Sequence, residues 1–196
     1  MVDQHQRWLP HAIRATFDVY RDQRASAWIR AQGDSMRPLI APGAQLLVEF
    51  GAAPTRVGQV ALFRQGERVV AHRLVARRPA CRGWLAKGDA EAYVDGPLEP
   101  SNILGVVRAV RRAHNQPATA IGCEGRCARA IASTSRWLGR GAAQARRMAA
   151  LLPSPLRRMA VRAIPPLVRV VAQALFAPIG WAAQIQAVRA HGYERR

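Results

Sequence analysis

Between residues 32 and 112 the apolar residues come in short runs rich in valine and leucine, punctuated by glycine and proline. Runs of this length, closed by turn formers, suit the strands of a compact β domain and are too short for helices. They predict strands over 45–50, 59–64, 68–77, 83–87 and 103–110. Pro42-Gly43 and Gln65-Gly66-Glu67 read as tight turns, the second joining two strands into a hairpin with His72 inside its second strand. The flanks have a different texture. Leu9, Ile13, Phe17 and Tyr20 recur at spacings of three and four, which predicts an amphipathic helix over 10–29 with Pro10 tolerated in its first turn. Asn115-Gln116-Pro117 ends the β region, and after Glu124 alanine, leucine and arginine dominate. Pro153, Pro155, Pro165-Pro166 and Pro178 divide that stretch into short helices expected over 126–138, 142–152, 156–163, 167–177 and 181–190. The expected fold class is α+β: an N-terminal helix in 1–31, a mostly β domain in 32–115, and a helical, arginine-rich extension in 124–196.

The formal charge of +18 is concentrated in that extension, where thirteen arginines face only Glu124 and Glu194. Such a surface suits an acidic partner, whether anionic lipid, nucleic acid or an acidic peptide. Arginine supplies nearly all of the charge, and Lys87 is the only lysine. Arginine-for-lysine usage of this kind follows from a GC-rich genome, so a nucleic-acid role is disfavoured. The N-terminal stretch carries Asp3, Arg7, Arg14, Asp18, Arg21, Asp22 and Arg24, which is incompatible with the apolar core of a secretory signal or anchor. A cytoplasmic location is expected from this. Residues 170–188 are uncharged and about long enough to span a bilayer, but Gln173, Pro178, Gly180, Gln184 and Gln186 dilute them, and an amphipathic or buried helix pair is expected instead. Cys81, Cys123 and Cys127 are odd in number and scattered, so neither a disulfide framework nor a four-ligand zinc site is expected.

Ser35 lies between Gly33 and Pro38, in a segment too rich in turn formers for a helix or a strand interior, so an exposed loop serine is expected. Met36, Leu39 and Ile40 would pin that loop to the domain or line a groove. A serine hydroxyl is a poor nucleophile until a neighbouring base takes its proton. His72 is the candidate base, while His5, His11, His114 and His191 stand in no comparable setting. Asp34 reads as a loop-capping carboxylate.

Five boxes in order carry a resemblance: Gly33-Asp34-Ser35-Met36-Arg37-Pro38, Pro42-Gly43-Ala44-Gln45-Leu46-Leu47-Val48, Val57-Gly58-Gln59-Val60-Ala61-Leu62-Phe63, Ala71-His72-Arg73-Leu74-Val75 and Leu85-Ala86-Lys87-Gly88-Asp89. Together they resemble the signal peptidase I and SOS-repressor self-cleavage superfamily over residues 32–110. The resemblance implies a mostly β catalytic domain and a serine endopeptidase that needs no metal or organic cofactor. Most of that superfamily uses a lysine base just before the arginine that here is Arg73; this chain has His72 there, which is similar to the endoplasmic-reticulum, archaeal and sporulation-type signal peptidases. In that histidine branch an aspartate supports the base. The resemblance puts it at Asp95, with Asp89, in the structural Gly-Asp box, as second candidate. An imidazole titrates near neutrality and serves as a base without the desolvation a lysine requires. The oxyanion hole implied by the resemblance includes the backbone N–H of Ser35, whereas the serine that many signal peptidases place two positions earlier is here Gly33.

Signal peptidases usually carry a spanning segment before the serine box, where this chain has a charged helix, and self-cleaving repressors carry a helix-turn-helix unit for which residues 1–32 have too few helices. The expected activity is therefore removal of a leader or signal segment from a precursor protein or peptide. The alternative is a non-enzymatic adaptor that uses its basic tail to bind a partner or a membrane surface. Arginines beside apolar stretches, as in Leu156-Arg157-Arg158-Met159-Ala160-Val161-Arg162, suit peripheral docking on anionic lipid at the inner membrane face. Packing of those helices on the β domain or on a partner protein is the competing expectation.

Overall fold

The computed structural model describes residues 5–78, 83–112, 114, 116–120 and 126–187. Cys81 and Cys123 lie outside them. The described chain runs α1 (His5–Asp22), β1 (Ser26–Arg30), β2 (Gln45–Phe50), β3 (Val60–Gln65), β4 (Arg68–Arg78), β5 (Gly83–Lys87), β6 (Pro97–Leu98), β7 (Ile103–Arg111), β8 (Thr119–Ala120), α2 (Arg126–Ala150) and α3 (Ser154–Ala187). All eight strands form one antiparallel sheet in the order β1-β2-β7-β3-β4-β5-β6, with β8 pairing β7 off that path. This is the α+β, mostly β fold expected from the apolar runs.

Alternation along β3 builds the core on both faces of the sheet. Val60 and Leu62 join Leu46, Val48, Phe50, Leu104 and Val107 on one face, and Met36 and Ile40 from the serine loop sink into the same cluster. Ala61 and Phe63 join Leu74, Trp84, Ala86, Leu98 and Ile103 on the other. Phe50 and Phe63 are both fully buried, and each buried large apolar side chain stabilises the fold by roughly 1.5–3 kcal/mol. Gly105 lies where β7 meets β2, and a Cβ there would stand 2.4 Å from the Glu49 carbonyl oxygen.

The N-terminal helix, the strand that follows it and the helical extension depart from the sequence expectation. The N-terminal helix stops at Asp22 instead of continuing to Ile29. Arg24 takes a left-handed φ of 50°, while the Ala25 N–H reaches the Tyr20 carbonyl and the Arg24 N–H the Arg21 carbonyl, the paired bonds of a Schellman stop. Residues 26–30 then form β1, paired with β2 from Ser26↔Glu49 to Arg30↔Gln45. Trp28 in that strand is covered by the Arg111 guanidinium, 4.0 Å from its ring. Phe17 and Tyr20 dock α1 onto Phe50 with ring centroids 5.4 and 5.3 Å away.

In the extension, the short helices expected between prolines merge into two. Pro153 does mark the turn, and Pro155 falls in the first turn of α3, where its missing N–H costs little. Pro165 and Pro166 lie inside α3, although each removes a helical hydrogen bond. What holds the helix across them is the buried stripe Ile164, Val168 and Ala172, packed against α2 and the sheet-edge loops. Gly139 does not break α2. A Cβ at this position would stand 3.2 Å from the Lys87 side chain, so a larger residue would crowd that buried lysine. No described helix is long and apolar enough to cross a membrane.

Gly105→Ala should destabilise the fold by about 1–3 kcal/mol through overpacking at the β2–β7 junction, read as a lower urea midpoint. An unchanged midpoint would contradict the close approach described there.

Candidate active site

Ser35 sits in the turn between β1 and β2. The Arg37 N–H bonds to the Asp34 carbonyl and the Ile40 N–H to the Met36 carbonyl, so the segment coils tightly while Met36 and Ile40 anchor it below. Gly33 beside it has open space on its Cβ side. His72 comes from the middle of β4, opposite Ala61 of β3, with its ring in a T-shaped contact with Phe63. Asp95 comes from the loop after β5, where its N–H bonds to the Ala86 carbonyl.

These three segments bring three side chains into one chain of contacts. His72 Nε2 lies 2.9 Å from Ser35 Oγ, and His72 Nδ1 lies 2.6 Å from Asp95 Oδ2. The second oxygen of Asp95 accepts from Gln65 Nε2 at 3.2 Å, which fixes the carboxylate plane. His72 is buried and Asp95 is mostly covered, while Ser35 keeps partial access to solvent. The imidazole is thus held at both nitrogens, one toward a hydroxyl and one toward a carboxylate. A ring held this way can take a proton from the hydroxyl while the carboxylate stabilises the resulting imidazolium.

Asp89, the second aspartate considered, is engaged elsewhere. Its Oδ1 and Oδ2 accept from Arg73 Nε and Nη2 at 2.9 and 2.8 Å, and Arg73 Nη1 donates to the Gly58 carbonyl at 2.7 Å. Both side chains are buried. Immediately before Asp89 lies Gly88, where a Cβ would come within 2.8 Å of the Ser35 carbonyl oxygen and 3.0 Å of His72 Nε2. Only a glycine lets the 88–96 loop close on the serine turn, and the Ala90 N–H then bonds to that same Ser35 carbonyl at 2.8 Å. The Gly-Asp pair was legible as a structural box, but Gly88's contact with the serine and histidine depends on loops far apart in sequence.

Lys87, the sole lysine, does not reach Ser35. Its fully buried ammonium donates to the Gly88 carbonyl at 3.0 Å and to Ser135 Oγ of α2 at 3.1 Å. Burial pushes its pKa down to about 8, against the opposing pull of the Asp89, Glu91 and Asp95 carboxylates.

The Peptidase S24-like family matches residues 2–107, more than half of the 196 residues. The chain belongs to the Peptidase S24-like family. Membership carries a serine peptidase-type function, and it bears out the resemblance to the self-cleavage and signal peptidase superfamily. No curated protein and no solved structure matches the chain.

The matched region of this S24-like chain stops before the helical hairpin, yet the hairpin touches both loops of the site. Leu39 of the serine turn packs on Leu138 and Ala172. Ala92 of the aspartate loop packs with Ala142, Ile164 and Val168. The Arg146 guanidinium lies 3.3 Å from the centre of the Tyr93 ring, and Gly139 approaches Val94. Sequence reasoning missed these partners, because alanines and leucines on a helix name no specific counterpart.

Asp89→Asn should cost about 3–5 kcal/mol of stability, because it leaves the buried Arg73 guanidinium without its counter-charge; a melting temperature close to wild type would contradict that role. Lys87 gives a pH test. Its folded pKa of about 8 lies below the ordinary 10.5, so the unfolded chain binds the proton more tightly. The cost of burying the ammonium is present below about pH 8 and is relieved as pH rises toward 10.5. Wild-type stability relative to Lys87→Met should therefore increase over that window in paired denaturant titrations. A flat difference would contradict it.

Proposed function

We propose that this chain is an endopeptidase that cuts a leader or signal segment from a precursor, with Ser35 as nucleophile, His72 as general base and Asp95 as its support. The observation that carries the reading is the unbroken contact chain from Ser35 Oγ through both nitrogens of His72 to Asp95. Ser35 attacks the scissile carbonyl while His72 Nε2 accepts the hydroxyl proton. The imidazolium then delivers that proton to the leaving amine, and water repeats the sequence on the acyl-enzyme. Asp95 holds the Nδ1–H tautomer that leaves Nε2 free to accept. The N–H of Ser35 is the proposed donor to the developing oxyanion, and Gly33 supplies no side-chain donor beside it.

A histidine in the base position supports placement in the histidine branch of the superfamily. Lys87 supports the same placement from the other side, because its ammonium is committed to Gly88 and Ser135 and makes no contact with Ser35 Oγ. The partial exposure of Ser35 and the open space beside Gly33 favour a substrate approaching as an extended segment along the serine turn.

Incubation with a leader-bearing precursor encoded next to this chain's gene, read by mass spectrometry of the fragments, tests the proposal. Ser35→Ala and His72→Ala should each abolish the cut, and retained cleavage in either would sink it. Asp95→Asn should lower kcat by about 10³–10⁴-fold, the scale for losing the group that sets the histidine tautomer, without lowering the melting temperature. That separation from Asp89→Asn distinguishes the two carboxylates.

A further inference from the structure

α3 is apolar on two sides. Its inward stripe of Ile164, Val168 and Ala172 is buried, as an amphipathic helix requires. A second stripe faces outward: Leu156, Met159, Leu167 and Val170 recur at helical spacing and are 52, 70, 63 and 61 % exposed. At 100° per residue these four fall within a sector of about 80°. The stripe begins at the tip of the hairpin, where every residue from 150 to 159 is exposed, Leu151 and Leu152 among them. The tip is a formed turn rather than a loose end, since the Leu151, Leu152 and Arg157 N–H groups bond to the Met148, Ala149 and Pro153 carbonyls. A contiguous apolar stripe of this kind marks an interaction surface.

Charge selects what covers it. Residues 126–187 contain ten arginines and no aspartate or glutamate. Arg147, Arg157, Arg158 and Arg162, all exposed, flank the tip and the outward stripe. A second copy of the same hairpin would bring like charges together, and a nucleic acid would leave the leucines and methionine in water. An anionic bilayer surface satisfies both features, with apolar side chains below the headgroups and long arginines reaching the phosphates.

We propose that the outward face of α3, led by the Leu151-Leu152 tip, docks in the plane of an anionic lipid surface. The inward face of the same helix packs on Leu39 and Ala92 of the serine and aspartate loops. Docking therefore places the serine and aspartate loops on the far side of α3 from the bilayer, with the helix, ~10 Å across, between them.

Flotation of the full-length Ser35→Ala protein with vesicles of phosphatidylcholine alone, or mixed equally with phosphatidylglycerol, tests this without relying on proteolysis. Binding to the mixed vesicles only, weakened by high salt, is expected. L151E/L152E and M159E/L167E change exposed positions and should each lower the partition by about tenfold or more. Replacing Arg157 and Arg158 by Gln should lower it about fivefold per arginine. Circular dichroism melts confirm that the variants remain folded, and the arginine pair reads the same surface without touching its apolar side chains. Failure to co-float would overturn the proposal, as would equal flotation of the glutamate variants. Release of the protein from vesicles by a short DNA duplex, with the glutamate variants still binding that duplex, would assign the surface to nucleic acid instead. A cleavage assay that fails leaves this result untouched, and the reverse also holds.

Discussion

Asp89 and Arg73 form a two-pronged ion pair that water does not reach, and the geometry around Ser35 depends on it. Arg73 follows His72 in β4, so strand alternation sends the two side chains to opposite sides. One neighbour makes the structural bond and the other is free to face the serine. Because Asp89 opens the 88–96 loop, the pair fastens that loop to β4 at the end where Gly88 meets both Ser35 and His72. Asp95, six residues on, is then held to the end of β5 by its bond to Ala86. A buried ion pair is a poor source of net stability compared with apolar packing. Its use here is directional, since two parallel hydrogen bonds fix orientation in a way that leucines cannot.

The hairpin of α2 and α3 closes the same arrangement from outside. Its contacts with the site are small individually: Leu39 on Leu138, Ala92 on Ala142, Arg146 on Tyr93 and Lys87 on Ser135. They fall on both loops that carry the proposed catalytic chain, so the hairpin and the site share one packing unit. The buried Lys87 ammonium fits this view. An unpaired charge at that depth would be costly, and Ser135 together with the Gly88 carbonyl supplies the hydrogen bonds that make it tolerable. The only lysine of the chain thus ties helix to sheet.

Much of the β domain was legible because its strands are short and separated by turn formers. The boundaries read for 45–50 and 83–87 match β2 and β5, and the others differ by a residue. The strand at Ser26–Arg30 was hidden because Ala27, Trp28 and Ile29 suit a helix as well as a strand. Pairing with β2 and the left-handed Arg24 decide it. The prolines of α3 misled in the opposite direction. Local chemistry says stop at Pro165, while a buried stripe on either side of it holds the helix through. Ser35 and His72 could be named from their boxes, and the two aspartates could be named but not separated by residue type alone.

The sequence by itself determined the fold class, the placement of the core strands and the identity of a serine and a histidine in suggestive settings. These depend on local spacing, on turn residues and on ordered boxes, all of which are written along one dimension. Only the tertiary structure decided that Asp95 meets His72 while Asp89 meets Arg73, that Gly88 must lack a side chain, and that the helical hairpin seats on both loops. Each of those facts is a distance between segments far apart in the chain, and such distances exist only once the sheet has closed.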